Sequence, residues 1–223
     1  MKEIVVFGGR FQPPHKGHKA SFDWLVNKFG GNSVYMASAD KAPGPKDPFT
    51  WEEKKRIAVA MGVPTGKFVQ VKNVYVDKFI KDAIPFNPAD TVLILALSQK
   101  DGDRLVSTNT DEEGYALKKN GERAAIQWLR KDAQPVSSGH MYAYATPTVT
   151  FPVAGKKITG ATEIRDMYAV ADSKTRNRIL TDLYGEEVGS KVRKQFDKSM
   201  GMVQTEDLVR EFAEFLNNFN LRS

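Results

Sequence analysis

The sequence contains no cysteine. Disulfides, thiolate-bound zinc, iron–sulfur clusters and thiol nucleophiles are therefore excluded within this chain, and a reducing compartment suits it. Long apolar runs are missing too. The longest, Val92 to Leu97, falls far short of the roughly 20 residues that a membrane-spanning helix needs. The opening stretch MKEIVVFGGRF has neither an apolar leader pattern nor a cleavage site, so a mature cytoplasmic protein without a membrane partner is expected. Internal repeats and low-complexity segments are absent, which argues against solenoid and fibrous architectures. What is present is balanced: 223 residues, 41% hydrophobic, 27% charged and 10% aromatic. That composition supports one generous folded domain, with length left for a small appendage.

Acidic residues are in slight deficit. Against 33 Lys and Arg stand 27 Asp and Glu, a net charge of +6 and a pI near 9.3. Such an excess suits an anion, whether nucleic acid, phospholipid or a phosphorylated small molecule. The placement of the positive groups has to choose among them.

Along the chain, Glu3 to Phe7 reads as a buried strand and Gly8 to Gly17 as a Gly/Pro-rich turn. Phe22, Leu25, Val26 and Phe29 then fall on one face of an amphipathic helix, which Gly30 and Gly31 stop. Ser33 to Ser38 is a second strand, and a loop from Asp40 to Phe49 leads to Thr50. Thr50 with Glu53 three residues later is a capping-box pattern, so a helix is predicted from there toward Met61. Phe68 to Val76 is β-rich, and Thr91 to Leu97 is an apolar run of the type buried in parallel sheets. Strands alternating with helices predict an α/β fold with a doubly wound parallel sheet. Ser98 to Asn120 reads as a long loop, Gly121 to Leu129 as helical and Pro147 to Val153 as the last strand. Beyond Thr162 the pattern is helical, with Leu208, Phe212, Phe215, Leu216 and Phe219 forming one apolar stripe. Residues 1–171 are expected to form one domain and residues 172–223 a helical extension packed on it. A packing cap, a dimer contact and a lid over an acceptor site are all open roles for that extension, and a homo-oligomer is one open state.

The segment GGRFQPPHKGH, Gly8 to His18, lies between the first strand and the first helix. In open α/β folds ligands bind beyond the C-terminal ends of the strands, where a helix N-terminus offers free N–H groups and a positive dipole end to an anion. Gly8, Gly9 and Gly17 allow close approach of backbone to a ligand. His15 and His18, three apart, would lie together at the helix start, with Arg10, Lys16 and Lys19 adding positive charge. Paired histidines at a helix start are more often surface or capping residues than catalysts. Here two of the three histidines of the chain share one strand-to-helix turn, which favours a polyphosphate site. A metal pair is the other reading, but no carboxylate lies close in sequence to complete it. The Gly-Lys-Ser/Thr ending of a P-loop is lacking.

Gly9 to His18 resembles the GxFxPxHxGH signature of the nucleotidyltransferase superfamily, which also includes the class I aminoacyl-tRNA synthetases. The Phe11-Gln12-Pro13 form is most similar to archaeal-type nicotinamide mononucleotide adenylyltransferases; cytidylyltransferases for phosphorylated alcohols usually carry Phe-Asp there. Asp47 to Arg56, DPFTWEEKKR, resembles the PFTxxER stretch of the same family, with Lys54 where the family has Arg and Arg56 as a candidate replacement. Ile158 to Arg165, ITGATEIR, resembles the second nucleotide-binding motif. Thr162 is expected as the helix N-cap, with Arg165 in the first turn able to reach a phosphate. Gly160 and Ala161 stand where Ser or Gly is usual, and Thr159 is the candidate for the missing hydroxyl. The resemblance covers roughly residues 1 to 170 and implies a Rossmann-like fold of nucleotidyltransferase type.

It also implies a reaction. An acceptor phosphate attacks the α-phosphorus of a nucleoside triphosphate in line, and pyrophosphate leaves. His15, His18 and Arg165 would be catalytic, with Gly8, Gly9, Arg10, Phe11, Gln12, Lys16, Gly17, Thr159 and Thr162 binding the nucleotide. Mg²⁺ would enter with the triphosphate, with no metal held by the protein alone. ATP with nicotinamide mononucleotide as acceptor is the favoured pair; CTP with a phosphorylated alcohol is the alternative. Phe49, Trp51, Arg56 and Trp128 are candidate substrate contacts, although aromatic residues are more often core. Asp101 and Asp103 read as ordinary loop carboxylates. Two readings of other kinds stand beside this one. A nucleic-acid binder is disfavoured because Lys198 in QFDKSM is a weak match to a synthetase lysine loop and the chain lacks room for an anticodon domain. A non-catalytic nucleotide sensor is kept open by Gly160-Ala161.

Overall fold

A computed structural model describes residues 1–39, 44 and 46–202. The elements, in order, are β1 (Lys2–Gly9), α1 (Lys16–Phe29), β2 (Val34–Ala39), α2 (Trp51–Ala60), β3 (Phe68–Val71), α3 (Asp77–Ala83), β4 (Thr91–Ser98), α4 (Gln99–Leu105), β5 (Ile126–Trp128), β6 (Met141–Thr146), β7 (Phe151–Val153), β8 (Lys156–Ile158), α5 (Ala161–Val170), α6 (Ser173–Tyr184) and α7 (Glu186–Ser199). The main sheet has six strands in the order β3-β2-β1-β4-β6-β5, every pair parallel. This is the doubly wound Rossmann-like α/β fold. The strand order reverses between β1 and β4, which is where such sheets open a crevice at their C-terminal edge.

Alternation along the strands divides the apolar runs between two layers. Val5, Phe7, Ile94 and Ala96 face the layer that contains Phe22 and Leu25 of α1. Val6, Leu93, Leu95 and Leu97 face the layer containing Ile80 of α3. A third cluster joins Phe49, Ile57 and Phe151 to Ile164, Leu180 and Phe196 of the C-terminal helices. Residues 173–199 thus pack on the loop and hairpin beside the sheet. The apolar stripe from Leu208 to Phe219 lies outside the described residues. Among the described residues no helix is long and apolar enough to cross a membrane.

Several local expectations change. The stretch expected as a loop from Ser98 contains α4, because Ser98 caps it by accepting from the Asp101 N–H. Gly121 to Leu129 is not helical: Ile126–Trp128 pairs with β6 as an edge strand. The Ala-rich spacing imitates a helix, but Gln127, fully buried, ties the segment to the backbone of Ala116 and Ala124 instead. Pro147 to Val153 is not a strand of the main sheet. Its last three residues form a hairpin with β8, an edge position that tolerates Pro152. The strand that does extend the sheet, MYAYAT, has alanines on alternate positions and gives little apolar signal. The strand expected to reach Val76 ends at Val71.

Candidate active site

β1 ends at Gly9 and α1 starts at Lys16, leaving Arg10 to His15 to cross the top of the sheet. His15 is the N-cap of α1, and the cap is reciprocal. His15 Nδ1 accepts from the His18 N–H at 3.4 Å, and His18 Nδ1 accepts from the His15 N–H at 3.3 Å. Two imidazoles thus do the work usually given to Ser/Thr and Glu. With both Nδ1 atoms accepting, a neutral ring carries its proton on Nε2. The rings stack with centroids 3.6 Å apart. Burial holds His15 down at about 3 and His18 well below its ordinary value, with the neighbouring His15 charge lowering His18 further. His15 is only 3% exposed, and its Nε2 has no partner among the described residues. The pair therefore stands as two neutral N–H donors, one of them unspent.

The glycines make room for rings. A Cβ on Gly17 would lie 2.5 Å from the Phe151 ring and 3.1 Å from the His15 ring, and one on Gly9 would lie 3.0 Å from the Phe11 ring. Phe11, at a φ of +48°, packs edge-on to His18 with centroids 4.8 Å apart. Gly8 faces Val74, its would-be Cβ 3.0 Å from that side chain.

Two cavities meet at His18 and Phe11. One, of about 270 Å³, is lined by Gly8, Gly9 and His15 together with Tyr75, Ser98, Asp101, Thr146 to Val149 and Thr159. The other, of about 200 Å³, is lined by Arg10, Gln12, Ala161, Thr162 and Arg165. The second is strongly cationic. Arg165 lies low for an arginine because of desolvation and then the nearby Arg10 charge, with Asp166 and Asp47 opposing. Arg10 itself pairs with Asp47 at 3.7 Å, and an anion between the two arginines would favour both charges.

The turn that holds the two histidines sits within residues 6–140 that match the model of cytidylyltransferase-like proteins, more than half of the chain, while Thr146 to Val149, Thr159, Ala161, Thr162 and Arg165 join the cavities from outside them. The chain belongs to the cytidylyltransferase-like family. That membership places it among the nucleotidyltransferases. It is 28% identical over 122 residues to nicotinamide-nucleotide adenylyltransferase 1 of Sulfolobus acidocaldarius, covering 52% of this chain and 66% of that one. Among solved structures, the bifunctional NMN adenylyltransferase/ADP ribose pyrophosphatase of Francisella tularensis is similar with a TM-score of 0.46 and 16% identity, covering all of this chain and 57% of that one. Plasmodium falciparum nicotinic acid mononucleotide adenylyltransferase complexed with NaAD gives a TM-score of 0.49 at 12% identity, over 88% of this chain and 98% of that one. The chain thus spans just under two thirds of the curated relative and little more than half of the Francisella protein.

In this family member the residues singled out from sequence separate into groups. Gly8, Gly9, Arg10, Phe11, Gln12, His15, Gly17, His18, Thr159, Thr162 and Arg165 all line the two cavities. Gln12, however, is 3% exposed and its amide is spent on Phe49, donating to its carbonyl at 2.9 Å and accepting from its N–H at 2.8 Å. Lys16 turns away and donates to the carbonyls of Pro152 and Asp182, each at 2.7 Å. Thr162 does not cap α5; Gly160 does, with no side-chain cap bond, because the helix begins at Ala161. Arg165 consequently sits in the second turn, where it donates to the Gln12 carbonyl and to Thr162 Oγ1. Thr159 Oγ1 donates to Glu163 Oε1 at 2.6 Å.

The four candidate substrate contacts lie elsewhere. Phe49 is fully buried against Phe196. Trp51 stacks on Phe68 with centroids 5.1 Å apart, Trp128 packs on Gly102, and Arg56 is exposed on α2. Lys54 is the buried member of its motif, 2% exposed, and donates to Ser38 Oγ at 2.6 Å and to the Arg10 carbonyl at 3.3 Å. Its place in the PFTxxER pattern was the signal for it. Tyr75 and Thr146 line the larger cavity without any sequence signal. Among the described residues no group of three or more His, Cys, Asp or Glu side chains could hold a metal ion.

Proposed function

We propose that the chain transfers AMP from ATP to nicotinamide mononucleotide, giving NAD and pyrophosphate. The observation that carries this is the reciprocal imidazole cap, two neutral Nε2–H donors at the junction of a cavity lined by Arg10 and Arg165 and a larger one whose lining includes Asp101. The Phe11-Gln12-Pro13 form of the motif and the Sulfolobus relative support the choice of substrates.

In this mechanism the triphosphate lies across the start of α1, its tail toward Arg10 and Arg165, and the acceptor phosphate enters from the larger cavity. An acceptor oxygen forms a bond to the α-phosphorus while the bond to the α,β-bridging oxygen breaks, and pyrophosphate carries away the electron pair. No protein nucleophile is needed, because positioning and charge stabilisation carry such reactions. His15 and His18 donate to phosphate oxygens as charge grows, and Arg165 with Arg10 neutralises the departing pyrophosphate. Mg²⁺ arrives as part of the nucleotide substrate. The cavities offer it no cluster of carboxylates, and Asp101 is engaged with Ser98 and Arg104.

The test is a substrate matrix: the purified chain with Mg²⁺, each nucleoside triphosphate and a panel of phosphorylated acceptors, read by pyrophosphate release and product mass. ATP with nicotinamide mononucleotide should give NAD. Turnover confined to CTP and a phosphorylated alcohol would overturn the proposal.

A further inference from the structure

Within the motif turn, Pro13 and Pro14 supply no N–H, which leaves much of its anchoring to backbone carbonyls. Three of these accept from side chains on three different helices. Lys54 of α2 reaches the Arg10 carbonyl at 3.3 Å, Arg165 of α5 that of Gln12, and Tyr184 Oη of α6 that of Pro14 at 2.7 Å. The last bond falls on the residue directly before His15. Burial keeps the Tyr184 hydroxyl well above the usual tyrosine range, so it remains a donor.

The same turn of α6 makes two more connections. The Asp182 carbonyl accepts from Lys16 Nζ, on the first residue of α1. Its carboxylate accepts from the Ala154 N–H at 2.7 Å, in the bend between β7 and β8. Ala154 has a φ of +48°, a left-handed conformation that a residue with a Cβ holds only under constraint. That hairpin presents Phe151, whose ring centroid lies 5.1 Å from that of His15.

We propose that Asp182 and Tyr184 are positioning residues for the imidazole pair, so that the C-terminal helix α6 belongs to the catalytic scaffold. Neither residue touches the cavities at His18. They act on His15 from behind, Tyr184 through Pro14 and Asp182 through the hairpin and Phe151, and His15 fixes His18 through the shared cap. The kinetic half of this proposal rests on the nucleotidyl-transfer reading; the structural half does not.

Tyr184→Phe removes only the hydroxyl. The readout is the set of imidazole ¹H–¹³C NMR signals of the full chain, with His140 at the opposite end of β6 as internal reference. The His15 and His18 signals should move while that of His140 stays. Misplacement of reacting groups lowers rate rather than affinity, so kcat should fall about tenfold with KM for both nucleotides within about twofold. Unmoved His15 and His18 signals in the folded variant, or a loss carried by KM, would overturn the proposal. If Tyr184→Phe does not fold, Asp182→Ala and Asp182→Asn decide. Asn keeps an oxygen for the Ala154 N–H and should retain wild-type signals and kcat, whereas Ala should not. Equal behaviour of the two, including failure of both to fold, overturns it. Should the wild type transfer no nucleotide, the functional reading fails while the imidazole signals still test the positioning role.

Discussion

The turn after β1 and the turn before α5 border the same cationic cavity, yet they are built on opposite plans. In the first, the histidines are held from several sides: two ring nitrogens close a reciprocal cap, the Arg10 and Pro14 carbonyls are held from α2 and α6, and no Cβ fits at Gly17. In the second, Gly160 caps α5 with no side-chain bond, and a Cβ at Gly160 would meet nothing within 4 Å. Arg165 is tied only to groups it could release, a carbonyl and a threonine hydroxyl. The contrast fits a division of labour under the proposed nucleotidyl transfer, a reaction that depends on positioning. Donors aimed at the reacting phosphate gain from being fixed beforehand, whereas a side chain that follows a departing pyrophosphate has to move.

The sharpest way to break that comparison is His18→Ala. If the first turn is the fixed donor pair, loss of this ring should lower kcat by about 10²–10³, with circular dichroism close to wild type and melting only a few degrees lower, from the lost cap bond. Near wild-type product formation would remove the mechanism. Next in size is Gly17→Ala. The added methyl would meet two rings that cannot retreat, since Phe151 is held through its hairpin and His15 through its cap, so a stability loss of about 3 kcal/mol is expected, the upper end for overpacking. Urea unfolding measures it, and a loss below about 1 kcal/mol would mean the first turn has slack.

How much of this contrast was legible in the sequence depends on what each residue answers to. The parallel sheet, the Thr50 cap and the pairing of His15 with His18 follow from local spacing, and all appear as expected. Lys16 and Phe49 do not line the cavities, and Gln12 lines one with its amide already spent, because each is engaged by a distant segment: Lys16 by Asp182, and Gln12 and Phe49 by each other. A side chain that meets a partner more than 30 residues away carries no local pattern. The strand β6 was hidden for a related reason. Its alternate alanines, Ala143 and Ala145, are small, and small residues give little periodic signal.

A third test, of medium size, uses acid. An unfolded chain protonates His15 near its ordinary 6.5, while in the folded protein the value is about 3. Between these values the unfolded state binds more protons, so stability falls as pH falls. From pH 7 to pH 5 His15 alone should cost about 2 kcal/mol, and His18, lowered in the same direction, adds to it. The second turn contains no such group. Arg165→Ala should therefore keep the slope, and His15→Gln should flatten it; an equal slope in all three proteins would place the acid sensitivity elsewhere.

The smallest effect tests the open half of the comparison. Gly160 has φ −165° and ψ 169°, an extended conformation that any residue adopts, and there is space beside it. A serine there could accept from an N–H of the first turn of α5, a bond that α5 now lacks. Replacing Gly by Ser at an N-cap is worth only a few tenths of a kcal/mol, or about 1 °C in melting temperature for a chain of this size. Gly160→Ser should therefore melt slightly higher than wild type and keep its rate within about twofold. The identical kind of change at Gly17 should be ruinous. If Gly160→Ser instead loses more than about 1 kcal/mol, the second turn is as tightly built as the first, and the mobility assigned to Arg165 has no structural basis.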